Sequence, residues 1–159
     1  MNNPIKQFVP SAVCLTCDGC CRFQLADTTW RPKVGALEYQ DGVDWAGYMK
    51  TSPAHGHHQC VHFNQADSSC RIYTKRPFEC ALYPFVVSRS VSSVDVFMHL
   101  ACPYIQDHEL SPALAEYQQY LISFFNEETT QVFLKANQDL LHDYSAYAPE
   151  LKWLFKIEV

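Results

Sequence analysis

The sequence predicts a small α+β domain in which irregular, cysteine-rich metal-binding loops and a β-hairpin precede C-terminal helices. Two cysteine blocks lie among turn-forming residues, two β-branched runs flank a serine-rich turn, and the last third has helical spacing. A chain of 159 residues with 48% hydrophobic residues is long enough to bury one core. We therefore predict a single domain over 1–159, with a cysteine core at 10–105 and a helical part at 111–159.

The first cysteine block lies within the first 33 residues and is the densest feature of the chain. It holds four thiols in Cys14-Leu-Thr-Cys17-Asp-Gly-Cys20-Cys21, and Gly19 relaxes the backbone inside it. Two residues between cysteines let both sulfurs point at one ion from a tight turn. The run Arg22-Phe-Gln-Leu-Ala26 predicts a short strand, and glycines and prolines predict irregular structure over 34–59.

The second cysteine block has wide spacing. Nine residues separate each of its members from the next, so we expect separate loops or a helix end to carry Cys60, Cys70 and Cys80. Cys102 follows as an outlier. The runs 85–88 and 94–98 predict a β-hairpin because both are rich in β-branched and aromatic residues. Tyr83 is expected to pack in the core and shield the cysteines from solvent.

The final third has the spacing of helices. Ser111 is a predicted N-cap, with Pro112 at the first helical position. Apolar residues at three- and four-residue spacing then form one face, which comprises Leu114, Tyr117, Leu121, Phe124 and Phe125. A second helix is predicted over about 127–142, with an inward face of Val132, Phe133, Ala136, Leu140 and Leu141. A short segment at 150–155 follows Pro149 and completes the predicted helical part.

Eight clustered thiols point to a soft metal and not to disulfides. Adjacent Cys20 and Cys21 would each need a separate partner within about 6 Å between Cα atoms, which disfavours a disulfide scaffold. Thiolates bind both zinc and iron–sulfur clusters, so the ligand number leaves a [4Fe–4S] cluster and Zn²⁺ open, at one site or two. The candidate metal ligands are Cys14, Cys17, Cys20, Cys21, Cys60, Cys70, Cys80 and Cys102. Within this set, we expect metal content to fall on substitution of Cys17, Cys20, Cys70 or Cys80.

Charge and hydropathy exclude two classes of partner. The net charge of −5 and the 12 scattered Lys and Arg residues give no basic patch for nucleic acid or an anionic membrane surface. The N-terminus has no apolar stretch of signal-peptide length, and no window approaches the ~18 apolar residues of a membrane span. We expect a cytoplasmic protein whose thiols stay reduced.

Other side chains are candidates for supporting roles. Arg76 is expected to bind near the cofactor, where its charge would offset that of four thiolates; the alternative is a pair with a surface carboxylate. A mixed Cys/His site or a solvated loop would explain the histidines that flank Cys60, namely His55, His57, His58 and His62. His99 is expected at the end of the hairpin. No Ser/His/Asp set or carboxylate pair has catalytic spacing, which leaves an unligated thiol such as Cys21 or Cys102 as the catalytic alternative.

Together the two blocks resemble the YkgJ-type cysteine-cluster family, described as zinc- or iron-chelating domains. The first block matches its CxxCxxCC signature. The second is similar to the family pattern in Cys60-Val-His-Phe and in Cys70-Arg-Ile-Tyr-Thr-Lys-Arg-Pro-Phe-Glu-Cys80-Ala-Leu-Tyr-Pro-Phe, and Cys102-Pro103 resembles a further family cysteine. A lysine N-methylase acting on flagellin carries the same type of domain and is associated with a four-iron cluster, so the resemblance implies a role in protein modification.

Two hypotheses of function follow. The first is a cytoplasmic protein with a [4Fe–4S] cluster that serves redox or protein-modification chemistry, as an iron–sulfur oxidoreductase or as a protein-methylating enzyme or its accessory. Its partner or substrate would be a protein. The second is a zinc-stabilised structural or interaction module without catalysis, in which the metal supplies folding energy.

Overall fold

The polypeptide forms helices and three small antiparallel sheets, which confirms the predicted α+β class. The computed structural model describes residues 5–17, 19–35, 38, 51–54, 56–90 and 93–158. In these ranges the helices are α1 Ser11–Cys14, α2 Phe78–Leu82, α3 Pro103–His108, α4 Pro112–Asn126 and α5 Glu128–Ala136. The strands are β1 Arg22–Phe23, β2 Thr51–Ala54, β3 His57–Cys60, β4 Phe63–Asn64, β5 Ser69–Cys70, β6 Phe85–Arg89, β7 Val94–His99 and β8 Leu151–Ile157. Short 3-10 turns lie at Gly19–Cys21, Tyr73–Lys75, Gln138–Leu140 and Ser145–Glu150.

Two of the sheets lie in the cysteine-rich part of the chain. β3 pairs with β1 and β2 on its two sides, and β4 pairs with β5. The strand predicted over 22–26 is shorter than expected, because β1 ends at Phe23. The prediction of irregular structure over 34–59 is wrong at β2 and β3. Pro53 is tolerated there because β2 is an edge strand, and Gly56 turns the chain between the two strands with a φ of 80°.

The predicted β-hairpin is confirmed in the third sheet, whose order is β6-β7-β8. Its register runs from Phe85 opposite Met98 to Arg89 opposite Val94. The prediction of a helical part through residue 159 is wrong at β8, which pairs antiparallel with β7. Phe155 and Ile157 of β8 are both buried, since residues two apart share one face of a strand.

The long predicted helix is confirmed as α4. The Ser111 hydroxyl accepts a hydrogen bond from the Leu114 N–H at 3.2 Å, so it caps the helix as expected. All five residues of the predicted apolar face of α4 are buried.

The second predicted helix is shorter than expected. α5 ends at Ala136, and the chain continues in the turn Gln138–Leu140. The predicted inward face is confirmed at Phe133, Leu140 and Leu141 but wrong at Val132 and Ala136, which are exposed. Because successive helix residues point about 100° apart, a helix that buries Phe133 with Leu134 turns Val132 outward.

The main core lies between the third sheet and helices α4 and α5. Its fully buried side chains include Phe85, Val96, Met98, Leu121 and Phe125. A second, smaller cluster of Phe23, Cys60 and Phe63 lies in the cysteine-rich part. Among the described residues, no helix is both long enough and apolar enough to span a bilayer.

Candidate metal centre

All eight predicted cysteines line one cavity of about 700 Å³. None of them forms a disulfide. The two cysteine blocks, which are far apart in the sequence, therefore meet in space as a single thiol-lined site.

Separate elements carry the first block to this cavity. Cys14 is the last residue of α1, and Cys17 follows in the connecting turn. Cys20 and Cys21 lie in the 3-10 turn that begins at Gly19. A side chain added at Gly19 would lie 3.7 Å from the Cys17 sulfur, which is an ordinary contact, so clearance does not require a glycine at this position.

The second block arrives from two hairpin strands and a helix, as its wide spacing predicts. Cys60 ends β3 opposite Thr51, and Cys70 ends β5 opposite Phe63. Cys80 is the third residue of α2, which begins directly after Arg76-Pro77.

The start of α2 is held by the half-buried carboxylate of Glu38. Glu38 accepts a hydrogen bond from the Phe78 N–H at 2.6 Å and another from the Gly35 N–H at 2.8 Å. Burial raises the pKa of Glu38, and these two bonds oppose that rise. The carboxylate thus satisfies a helix donor that would otherwise lack a partner beside Cys80.

Four of the thiols, which we call the quartet, all raise one another's pKa: Cys20, Cys60, Cys70 and Cys80. Burial raises the pKa of Cys60, Cys70 and Cys80, whereas for Cys20 the largest cause is a hydrogen bond with Cys21. Each of the six pairs within the quartet adds a further rise, because one thiolate disfavours ionisation of another. This mutual effect requires proximity, so the quartet joins one cysteine of the first block to three of the second.

Arg76 lies at the thiol end of the cavity. Its Nη1 donates to the Cys14 sulfur at 3.7 Å, and its guanidinium lies 4.1 Å from the Tyr73 ring centroid. Its other donor, Nη2, bonds the Gln7 side-chain oxygen. Burial raises the pKa of Cys14, and the Arg76 charge opposes this rise, as it also does at Cys20 and Cys70.

The donor set fits a thiophilic metal, because every candidate ligand is a cysteine sulfur. Among the described residues, no three Cys, His, Asp or Glu side chains converge to the spacing of a single bound ion. The thiols instead surround the cavity. The quartet would hold a metal group in this space, with Arg76 supplying opposite charge.

The histidines flanking Cys60 have a different placement. His57 and His58 belong to β3 and His62 follows it, and none of the three lines the cavity. His55 and Asp18 lie outside the described residues. His99 is the last residue of β7, which confirms its predicted place at the hairpin end, and it also lines the cavity.

Sequence reasoning missed an aromatic wall at one end of the cavity. This aromatic end consists of Trp30, Tyr83, His99, Tyr144, Tyr147 and Glu150. Trp30 stacks on the His99 ring at 4.0 Å and 7°, and the Tyr144 and Tyr147 rings lie 5.3 and 5.1 Å from Trp30. The sequence signal that could have indicated this wall is the three-residue spacing of Tyr144, Tyr147 and Glu150.

His99 contacts a tyrosine hydroxyl and a carboxylate at the aromatic end. The Tyr83 hydroxyl lies 3.2 Å from His99 Nδ1, and Glu150 Oε2 lies 3.6 Å from His99 Nε2. Burial raises the pKa of Tyr83, and the nearby thiols add to that rise. Tyr83 therefore lies near the thiols and also contacts His99, and its shielding of the thiols from solvent stays a prediction.

A cavity lined by eight free thiols, four of which raise one another's pKa, is typical of a thiolate metal-binding protein. Residues 13–111 match the family described as "CxxCxxCC: Putative zinc- or iron-chelating domain", and the chain belongs to this family. The match includes every cysteine and supports metal binding. No curated protein and no solved structure matches the chain.

Proposed function

We propose that the chain holds a [4Fe–4S] cluster through the quartet of Cys20, Cys60, Cys70 and Cys80, and that this cluster serves redox or protein-modification chemistry. The observation that carries the proposal is the quartet itself. Four cysteine thiolates are the ligand number of such a cluster, and the quartet includes cysteines of both blocks.

The size of the cavity supports a group larger than one ion. Around a single zinc with Zn–S bonds of about 2.3 Å, four sulfurs would lie within about 4 Å of one another. A cavity of about 700 Å³ ringed by eight thiols offers more room than that arrangement uses.

The side chains around the quartet suit a charged thiolate group. When bound, the cluster would supply one-electron chemistry. Arg76 would offset the negative charge at the Cys14 side, and burial of Cys60 would limit access of water. The thiols outside the quartet, Cys14, Cys17, Cys21 and Cys102, would remain as spare ligands or reactive groups.

Anaerobic purification followed by metal analysis and visible absorption tests this proposal. We expect a brown protein with about four irons per chain, whose colour bleaches on reduction. A colourless protein with stoichiometric zinc and no iron would overturn the cluster and establish the zinc-stabilised module in its place.

A further inference from the structure

The cavity has a carboxylate at its aromatic end and an arginine beside its thiols. Arg76 lies at the thiol end, bound to Cys14 and stacked on Tyr73. The aromatic end carries the carboxylate of Glu150, whose side chain is 53% exposed and whose Oε2 lies 3.6 Å from His99 Nε2. The aromatic end therefore presents a negative group near the rings of Trp30, Tyr144 and Tyr147, whose faces are electron-rich.

A buried nitrogen at the aromatic end lacks a hydrogen-bond partner. His99 is 8% exposed, and its Nε2 has no hydrogen bond among the described residues, since Glu150 Oε2 is 3.6 Å away. Buried polar atoms are normally satisfied, so this nitrogen calls for a ligand atom. The other ring nitrogen, Nδ1, is already engaged with the Tyr83 hydroxyl at 3.2 Å.

We propose that the aromatic end is a binding site for a small organic amine in its ammonium form. His99 Nδ1–H donates to Tyr83 Oη, which leaves the Nε2 lone pair to accept one ammonium N–H, and Glu150 accepts another. The apolar stem of the amine packs against Trp30, Tyr144 and Tyr147. Aromatic rings with a carboxylate are the usual surroundings of bound ammonium groups.

The chemistry excludes the opposite choice of ligand. A carboxylate or phosphate at this end would face the Glu150 charge, because the arginines that line the cavity have other partners: Arg76 bonds Cys14, Arg31 pairs with Asp27 at 3.4 Å, and Arg22 lies over the Phe63 ring. The cavity volume of about 700 Å³ is within the ordinary range for small-molecule sites. The inference is independent of which metal the quartet holds.

Titration of the metal-loaded protein with three matched probes, followed by ligand-observed NMR, tests the site. The probes are n-butylammonium, neutral n-butanol and anionic butyrate, which share one stem. We expect n-butylammonium to bind at least about tenfold more tightly than either of the others. Equal binding of ammonium and alcohol, or no binding of the ammonium, would overturn the inference.

Two variants locate the binding. Glu150→Gln should weaken n-butylammonium about tenfold and leave n-butanol unchanged, and Trp30→Leu should also weaken the ammonium. The matched control is Glu109→Gln, because that carboxylate pairs with Lys152 at 2.7 Å and does not line the cavity. Unchanged ammonium affinity in Glu150→Gln would contradict the site.

The same ammonium could be carried by a free metabolite or by a lysine side chain. Titration with N-acetyl-lysine amide separates these sources: affinity above that of n-butylammonium favours a lysine side chain, and weaker binding favours a free amine. Metal content is measured in every sample. If the protein has its full metal content but does not bind n-butylammonium, the amine site is refuted and the metal proposal remains intact.

Discussion

The ligand set can be assigned in two ways, which differ in whether Cys60 or Cys17 binds the metal. Cys60 is buried and raises the pKa of Cys80, whereas Cys17 raises the pKa of Cys102 and Tyr83. The spacing within the first block favours Cys17 as a ligand, whereas the effect of Cys60 on the pKa of Cys80 favours Cys60. Metal binding depends on where a thiol lies in the folded chain, so we expect Cys60 to be the ligand.

We predict that Cys60→Ser loses most of the bound metal, while Cys17→Ser retains most of it. Loss of a direct ligand should weaken metal binding by more than the roughly tenfold seen for outer partners. Metal analysis of the two variants, purified side by side without oxygen, gives the measurement. Full metal content in Cys60→Ser together with loss in Cys17→Ser would restore the assignment based on spacing.

Helix α4 depends on a cap that is local in sequence. The Ser111 hydroxyl accepts the Leu114 N–H at 3.2 Å, and Pro112 occupies the first turn. We predict that Ser111→Ala lowers the free energy of unfolding by about 1 kcal/mol, because one helix donor loses its partner. Denaturant unfolding provides the measurement, and metal content should stay unchanged because α4 carries no cysteine. A matched Ser145→Ala variant, at an exposed position outside α4, should have a smaller effect.

The elements that could be predicted from the sequence are those with local causes. α4 has its cap and its apolar spacing within one segment, and the β6–β7 hairpin has both strands and its turn within 15 residues. β8 could not be predicted in this way, because its seven residues are a strand only by virtue of their partner β7. The conformation of that segment is determined by its pairing with β7.

The residues of the candidate site also differ in how well the sequence could predict them. The cysteines were identified because thiols in tight spacing have few other uses. The aromatic end was not, since Trp30, His99 and Tyr144 come from three separate parts of the chain and meet only in the fold. A stacked Trp–His pair leaves no trace in the spacing of either residue.

At the scale of the whole molecule, apolar packing is unequally distributed. The main core joins the third sheet to α4 and α5, whereas the cysteine-rich part has a small cluster of Phe23, Cys60 and Phe63. Cys60 belongs both to this small cluster and to the quartet. The cysteine-rich part is therefore expected to take much of its stability from bound metal, as small metal-binding units do.

Removal of the metal should accordingly unfold one part of the molecule before the other. We predict that chelation under anaerobic conditions speeds amide hydrogen exchange in β3, β4 and β5, because the metal no longer ties these strands to α2. The amides of β6, β7 and α4 should keep their protection, since their side chains are packed in the main core. Hydrogen-exchange mass spectrometry of the loaded and chelated protein gives the comparison. Uniform loss of protection across both parts would show that the metal supports the entire fold, and no change in β3–β5 would show that these strands are stable without it.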